Sequence, residues 1–264
     1  MDARGKRGHD GVDSAMTASD PARGRDKKVP DMTPPEIHRV ATLDLKVGPF
    51  AWSFAAKRRE EIDAHFAAKQ LEKPELWNGR VLLGRNAFRA GDHFSADFFE
   101  TDFANFLAWR DWGFPDAGVF NGFGMGALQS SDGAFLLGEM GAHTANAGRI
   151  YFPAGTPDPD DVSDGRLDLA GSIVREVTEE TGLDAADYTM DTHWSCVFAG
   201  PSIAMIRILR VDKLGEALKA RVEAHLARET QPELRAVHLV RSRSDVVPDM
   251  PRFVSAFLEA QFSG

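Results

Sequence analysis

Hydrophobic and polar residues follow the two periodicities of regular secondary structure along most of the chain. Alternating runs predict strands in HRVATLDLKV, on both sides of Gly91-Asp92, on both sides of Ser131-Asp132-Gly133, and in RIYFPAG, HWSCVFAG, IAMIRILRV and LRAVHLV. Apolar residues three or four positions apart predict helices in FAAKRREEIDAHFAAKQLEK, DFANFLAWRDWG, the segment before Gly182, LGEALKARVEAHLARE and MPRFVSAFLEAQF. Because strands and helices interleave, the pattern predicts an α/β or α+β protein with a mixed sheet.

Three segments of the chain differ in composition. Residues 1–34 are polar and contain few large apolar side chains, which predicts a disordered tail. Within it, Met32 is either the true translation start or part of an ordinary polar terminus. Residues 35–115 form a small α/β extension, and residues 116–264 form the main domain. The predicted apolar face of the first helix in the extension consists of Phe54, Ile62, Phe66 and Leu71.

Composition and charge narrow the functional classes. Of the 264 residues, 43% are hydrophobic and 27% are charged, which is ordinary for a globular protein. The net charge of −9 opposes binding to nucleic acid, so a ligand that carries phosphate would need a cation as mediator. The single cysteine, Cys196, cannot form an intramolecular disulfide, and no apolar stretch approaches the roughly 18 residues that span a bilayer. These features predict a cytoplasmic protein without a membrane segment.

The segment before Gly182 concentrates carboxylates beside an apolar helix face. Leu169, Ile173 and Val177 recur every four residues, so this face should pack on the sheet. Glu176 and Glu180 flank it, where a carboxylate is unfavourable unless it is paired or coordinated. Hard cations such as Mg²⁺ and Mn²⁺ prefer oxygen ligands of this kind. The alternative is a solvated acidic helix end that stops at a left-handed glycine.

The string REVTEETGL, residues 175–183, resembles the second half of the Nudix box. That half of the box has the pattern Arg-Glu-aliphatic-any-Glu-Glu-any-Gly-aliphatic, and seven specified positions match. YFPAG at 151–155 is similar to the strand and turn that enter the Nudix loop. The resemblance implies a Nudix-type α/β/α sandwich with a mixed sheet, preceded here by the small N-terminal α/β extension.

The first half of the box departs from the family pattern. Asp161 and Leu167 stand where the pattern has its leading glycine and its first glutamate. We expect Gly155 to take the place of the leading glycine and Asp168 that of the first glutamate. The segment between them is then about seven residues longer than in the family pattern. The insertion, residues 156–167, either closes over a substrate or forms a long surface loop.

The resemblance implies metal-assisted hydrolysis of a nucleoside diphosphate linked to another moiety. By analogy, Glu176, Glu179 and Glu180 would bind Mg²⁺ or Mn²⁺, and Arg175 would orient Glu179. The general base would be a helix glutamate or Glu233, which precedes the strand LRAVHLV. Candidate substrate residues are His143, Asn146, Arg149, Gly155 and Asp168.

The substrate class rests on a weaker resemblance. The front segment, ELWNGRVLLGRNAF followed by DFANFLAWRD, is similar to the extension of Nudix hydrolases that act on nucleotide sugars such as UDP-glucose. The alternative function is a Nudix-fold ligand-binding or regulatory module that senses a nucleotide metabolite without hydrolysis. Because Nudix folds often dimerise, a homodimer is a further expectation.

Overall fold

The computed structural model describes residues 33–74, 76–144 and 146–263. The predicted tail lies outside these residues except for its last two positions, and Met32 lies outside them too. None of the helices in the described part of the chain combines the length and the apolar character needed to cross a membrane.

Strands and helices interleave along the chain, as the sequence pattern predicts. The strands are β1 (Glu36–Val40), β2 (Thr42–Val47), β3 (Arg80–Ala90), β4 (His93–Asp102), β5 (Val119–Gln129), β6 (Phe135–Met140), β7 (Ile150–Tyr151), β8 (Val162–Ser163), β9 (Arg166–Leu167), β10 (Tyr188–Met190), β11 (Trp194–Ala199), β12 (Ser202–Val211) and β13 (Leu234–Val240). The helices are α1 (Ser53–Lys57), α2 (Arg59–Glu72), α3 (Phe103–Asp111), α4 (Leu169–Thr181), α5 (Gly215–Leu226) and α6 (Arg252–Gln261).

One mixed sheet connects the strands. Its main path runs β1-β11-β12-β5-β3-β4-β2-β9-β8, and β6 joins β5 to β7 and β13. The pairs β12–β5 and β2–β4 are parallel, and the other pairs are antiparallel. Only Ala41 separates β1 from β2, so the run 36–47 connects two distant places on the path. The prediction of a mixed sheet is confirmed.

Helices cover both faces of this sheet. The residues of β5 point alternately to the two faces and show this arrangement most clearly. Gly124 and Gly126 face α4: a Cβ on Gly124 would lie 3.0 Å from Cγ1 of Ile173. The intervening Phe123 faces the other side, where its ring lies 5.3 Å from that of Phe253 in α6. This opposition follows from the two-residue period of a strand. The predicted α/β/α arrangement is therefore confirmed.

The N-terminal extension contributes to two apolar cores. Its strands supply Leu82, Phe94 and Phe98 to the core beneath the main sheet. Its helices enclose a second core around Trp109, which is fully buried. The pair β3–β5 crosses the predicted boundary between residues 115 and 116. The boundary itself stays a prediction.

The single helix predicted in FAAKRREEIDAHFAAKQLEK is two helices, α1 and α2, which meet at Arg58. Its predicted apolar face is right at three of four positions. Phe54, Ile62 and Phe66 are buried, but Leu71 is 87% exposed. Leu71 lies in the last turn of α2, five residues after Phe66 and therefore about 140° around the helix at 100° per residue, so it falls off the buried face.

The insertion of residues 156–167 folds into regular structure that sequence reasoning missed. A single 3-10 turn covers Pro159–Asp161, and a hairpin of β8 and β9 follows. Asp164 and Gly165, with φ of 51° and 70°, form its two-residue turn, the conformation that Asp-Gly favours between strands. Strand β9 then pairs with β2. The insertion therefore extends a sheet edge, which neither of the two sequence hypotheses described.

We predict that Gly126→Ala lowers the free energy of unfolding by about 1–3 kcal/mol through overpacking. A Cβ at this position would lie 2.7 Å from Cγ2 of Val177 and 2.9 Å from Cδ1 of Leu209. This cost exceeds the roughly 0.4–1 kcal/mol that replacing glycine by alanine contributes through the unfolded chain. Denaturant unfolding measures the change.

Gly48→Ala is the matched control, because nothing lies within 4 Å of a Cβ at Gly48. We expect it to retain or slightly raise the stability. Equal losses in the two variants would show that close packing against α4 is not the cause.

Candidate active site

Helix α4 carries the central residues of the site, and both of its ends are capped. At the start, the Asp168 side chain accepts a hydrogen bond of 3.0 Å from the backbone N–H of Gly171. At the end, Gly182 adopts the left-handed conformation with φ of 68°, which glycine tolerates without strain. The helix thereby begins and ends where the sequence requires, and its glutamates lie in its last two turns.

The three glutamates of α4 differ in exposure, as their angular positions predict. Glu180 is 5% exposed and accepts a hydrogen bond of 3.3 Å from the backbone N–H of Ala154. The side chain of Glu176 is 13% exposed, whereas that of Glu179 is 62% exposed. The apolar face of the helix therefore carries two carboxylates into the edge of the core and leaves the third near solvent.

Burial makes ionisation of the two inner carboxylates costly. It raises the pKa of Glu176 from 4.5 to about 7, although the nearby Arg175 opposes this increase. It also raises the pKa of Glu180 well above 4.5, and repulsion from Glu176 raises it further. Two anions at neighbouring helix positions oppose each other's ionisation, and a cation would remove this cost.

A cavity of about 270 Å³ opens beside these carboxylates. Glu233, the candidate base from the segment before β13, lies in its wall together with the three glutamates of α4. Glu233 is separated from α4 by more than fifty residues, and the packing of α5 and β13 brings it there. Glu229 also lines the cavity, and sequence reasoning missed it because no motif position marks it.

Arg175 is held from two sides. Its Nη1 lies 2.9 Å from Oε1 of Glu176 and 4.0 Å from Oε2 of Glu179, so the expected contact with Glu179 is the longer of the two. Its Nη2 lies 2.9 Å from Oδ1 of Asp161, whose side chain is 3% exposed. Asp161 also accepts a hydrogen bond from the backbone N–H of Asp158. The insertion therefore supplies the buried anion that positions Arg175.

The carboxylates fit a hard divalent cation by their donor chemistry. In the described ranges, no three His, Cys, Asp or Glu side chains are grouped closely enough to hold a metal ion as they stand. However, Glu180 is buried with a single hydrogen bond, and burial disfavours its charge. Oxygen donors with an uncompensated negative charge are the ligands that Mg²⁺ and Mn²⁺ take.

A larger cavity, of about 610 Å³, lies on the other side of the segment Ala154–Gly155. Gly155 lines this cavity, and a Cβ on Gly155 would lie 2.3 Å from Oε1 of Glu176. Only the absence of a side chain at this position allows the main chain and the carboxylate to approach so closely. Gly155, which lines the larger cavity, therefore lies next to Glu176, which lines the acidic one.

The predicted substrate residues lie in three different places. Asn146, Arg149 and Gly155 line the larger cavity, and Nδ2 of Asn146 donates to the Tyr151 hydroxyl at 3.1 Å. His143 lines a neighbouring cavity of about 330 Å³. Asp168 caps the start of α4, about 12 Å along the helix from Glu176 at 1.5 Å per residue.

Solved structures are similar to part of this chain. A Nudix hydrolase from M. smegmatis, RenU, is 15% identical over 53% of this chain and 80% of that one, with a TM-score of 0.34. A Nudix hydrolase from Nitrosomonas europaea is 15% identical over 54% of this chain and 91% of that one, with a TM-score of 0.34. A bifunctional NMN adenylyltransferase/ADP ribose pyrophosphatase from Francisella tularensis, complexed with AMP and a Mn ion, is 13% identical over 58% of this chain and 43% of that one. Its TM-score is 0.36.

No family model and no curated protein matches the chain. The two proteins described as Nudix hydrolases belong to the family that the box resembles. Since all three TM-scores are below 0.5, the functional assignment rests on the residues of the site itself.

We predict that Glu176→Gln changes the pH dependence of stability when no divalent ion is present. Because the pKa of Glu176 is raised from 4.5 to about 7, the folded protein keeps a proton that the unfolded chain releases over this interval. The wild type should therefore lose stability relative to Glu176→Gln as pH rises from 4.5 to about 7, by on the order of 3 kcal/mol. Denaturant unfolding across this interval measures the difference.

Glu223→Gln is the control, since Glu223 is half-exposed on α5 and lies outside both cavities. It removes one carboxylate without touching the site. A constant difference between wild type and Glu176→Gln at every pH would contradict the prediction.

Proposed function

We propose that the chain is a divalent-metal-dependent Nudix pyrophosphohydrolase. Its substrate is a nucleoside diphosphate linked to another moiety, such as a sugar, and its products are a nucleoside monophosphate and a phosphorylated compound. The observation that carries this proposal is the convergence of the three α4 glutamates with Glu233 on one acidic cavity. The larger cavity adjoins it through Gly155.

Glu176, Glu179 and Glu180 are the residues that would hold Mg²⁺ or Mn²⁺. The cation, when bound, neutralises phosphate charge, polarises the P–O bonds and lowers the pKa of an attacking water. Two observations support this assignment: the carboxylates point into one cavity, and burial makes their charge costly without a counterion. The net charge of −9 also requires a mediator between the protein and an anionic substrate.

The chain's own residues orient the reactants and transfer the proton. Glu233 lies in the wall of the acidic cavity, where it can accept a proton from the attacking water. As the new P–O bond forms, the anhydride P–O bond breaks in line and the leaving phosphate departs. Arg175 keeps Glu176 in place through its 2.9 Å contact, and buried Asp161 holds Arg175 in turn.

The alternative is a Nudix-fold module that binds or senses a nucleotide metabolite without hydrolysing it. The altered first half of the box favours this function, because Asp168 caps the helix instead of extending the carboxylate cluster. The three α4 glutamates of the box nevertheless line the acidic cavity together with Glu233, which supports the enzyme.

Location and partners follow from the same proposal. We infer a cytoplasmic protein that binds a small nucleotide and does not bind nucleic acid, in agreement with its acidic charge. Homodimerisation remains a prediction, to be measured by the mass of the protein in solution.

We predict that wild-type protein with Mg²⁺ or Mn²⁺ cleaves at least one compound in a panel of phosphoric anhydrides. The panel comprises nucleotide sugars, dinucleoside polyphosphates, ADP-ribose, NADH, FAD, coenzyme A and nucleoside triphosphates. The nucleoside monophosphate and the phosphorylated product are separated and quantified by chromatography. Glu179→Gln and Glu180→Gln should each lose more than the roughly 10–100-fold that removal of a supporting residue costs at a metal site.

Glu223→Gln is again the matched control, and it should retain the wild-type rate. Absence of cleavage across the panel, with nucleotide binding retained, would favour the sensing module over the enzyme.

We predict that Glu233→Gln lowers turnover by roughly 10²–10⁴-fold if Glu233 is the general base. Glu229→Gln serves as the paired variant, because Glu229 lines the same cavity without an assigned role. Turnover is measured with the compound that the panel identifies. An unaffected rate in Glu233→Gln would remove Glu233 from the mechanism and assign the proton transfer to a helix glutamate.

A further inference from the structure

We propose that the 610 Å³ cavity binds the nucleobase of the substrate and that the Asn121 side-chain amide recognises a polar edge of that base. This inference rests on the proposed function and names the part of the site that selects the substrate. The motif and the sequence-predicted residues did not include Asn121. Three observations, on an unsatisfied oxygen, an aromatic wall and the distance to the carboxylates, support the assignment.

The first observation is an unsatisfied hydrogen-bond acceptor. Oδ1 of Asn121 is buried and has no hydrogen-bond partner among the described residues. An unsatisfied buried acceptor costs about 1–3 kcal/mol, and most buried polar atoms have a partner. Asn121 lines the larger cavity, so a ligand in that cavity can supply the missing N–H.

The second observation is the aromatic character of the wall. Five phenylalanines from different parts of the chain surround the cavity: Phe103, Phe106, Phe114, Phe123 and Phe253. Helix α3 and the residues after it provide the first three, and α6 provides the last. Planar heterocycles stack favourably on aromatic rings, by roughly 1–3 kcal/mol per base. Because every base presents a π-face, the aromatic wall suits a nucleobase.

The third observation is the separation between Asn121 and the segment that contacts Glu176. Asn121, Phe123 and Met125 line it from alternate positions of β5, and Asn121 lies about 13 Å along the strand from Met125 at 3.3 Å per residue. Next to Met125, the N–H of Gly126 donates to the carbonyl of Pro153 at 3.1 Å, directly before Ala154 and Gly155. The base would therefore occupy one end of the cavity and the phosphates the end beside the carboxylates.

The wall of the cavity also carries positive charge. Arg149 lines it, and Arg110 lines it from α3. A guanidinium binds phosphate through paired hydrogen bonds, so these side chains can compensate the negative charge of the ligand. At about 610 Å³, the cavity has the size that a small-molecule site requires.

The experiment measures binding of hydrolysis products, so its outcome does not depend on turnover. AMP, GMP, UMP and CMP are titrated calorimetrically against the full chain with Mg²⁺ present, beside ribose 5-phosphate, which lacks a base. The ratio of the dissociation constant of ribose 5-phosphate to that of each nucleotide gives the base preference. Any change in phosphate binding cancels in this ratio.

We expect at least one nucleotide to bind roughly tenfold or more tightly than ribose 5-phosphate. Asn121→Leu should reduce that preference by roughly tenfold, the effect of one lost hydrogen bond to a buried partner. Asn121→Asp retains an acceptor and should retain more of the preference than Asn121→Leu. Gln129→Leu, which removes an amide from the same strand outside the cavity, should leave the preference unchanged.

Three results would overturn the assignment: no nucleotide preferred over ribose 5-phosphate, an unchanged preference in Asn121→Leu, or equal losses in Asn121→Leu and Asn121→Asp. The last result would show that the acceptor is not what binds the base. A preference for a nucleotide over ribose 5-phosphate, without hydrolysis of any compound in the panel, would contradict the proposed enzyme and still support the base site. Hydrolysis without an effect of Asn121→Leu on base preference would contradict the base site alone.

Discussion

The close approach of α4 to β5 is the contact on which the rest of the structure depends. Gly124 and Gly126 leave no side chain on the face of the strand that meets the helix, and Ile173 and Val177 fill that space. The same strand turns its larger residues to the opposite face, where they line the larger cavity. One alternation thus positions the helix with its carboxylates on one side of the sheet and shapes a cavity on the other.

This packing forces the protein to bury negative charge. Because Glu176 and Glu180 lie beside the apolar face of α4, burial raises the pKa of both. Arg175 offsets part of that charge, and the pair formed by Arg175 and Asp161 fixes its position. A divalent cation would neutralise the remaining negative charge. The buried carboxylates therefore account both for the cost of ionising them without a cation and for the affinity for one.

The N-terminal extension completes the larger cavity. Helix α3 places Phe103 and Phe106 in the wall opposite β5, and α6 adds Phe253 from the C-terminal end. Residues far apart in the chain therefore surround one volume. An extension that pairs with the central sheet through β3 can change the ligand without changing the helix that carries the acidic residues.

The sequence by itself determined the local elements and the chemistry that they carry. The four-residue repeat of Leu169, Ile173 and Val177 predicts α4 and its buried face, and Gly182 marks its end. The turn at Gly91 and the helix that ends before Gly113 follow from residues next to one another, and both are confirmed. Such features depend on backbone preferences and periodicity within a few residues, which a single sequence displays.

Only the tertiary structure decided which distant groups meet. Asp161 pairs with Arg175 because the insertion folds into a hairpin against β2. The buried oxygen of Asn121 is likewise invisible in the sequence, since an asparagine near the start of a strand is ordinary until its neighbours are known. These contacts depend on how the sheet brings separated segments together, and neither local propensity nor motif spacing contains that information.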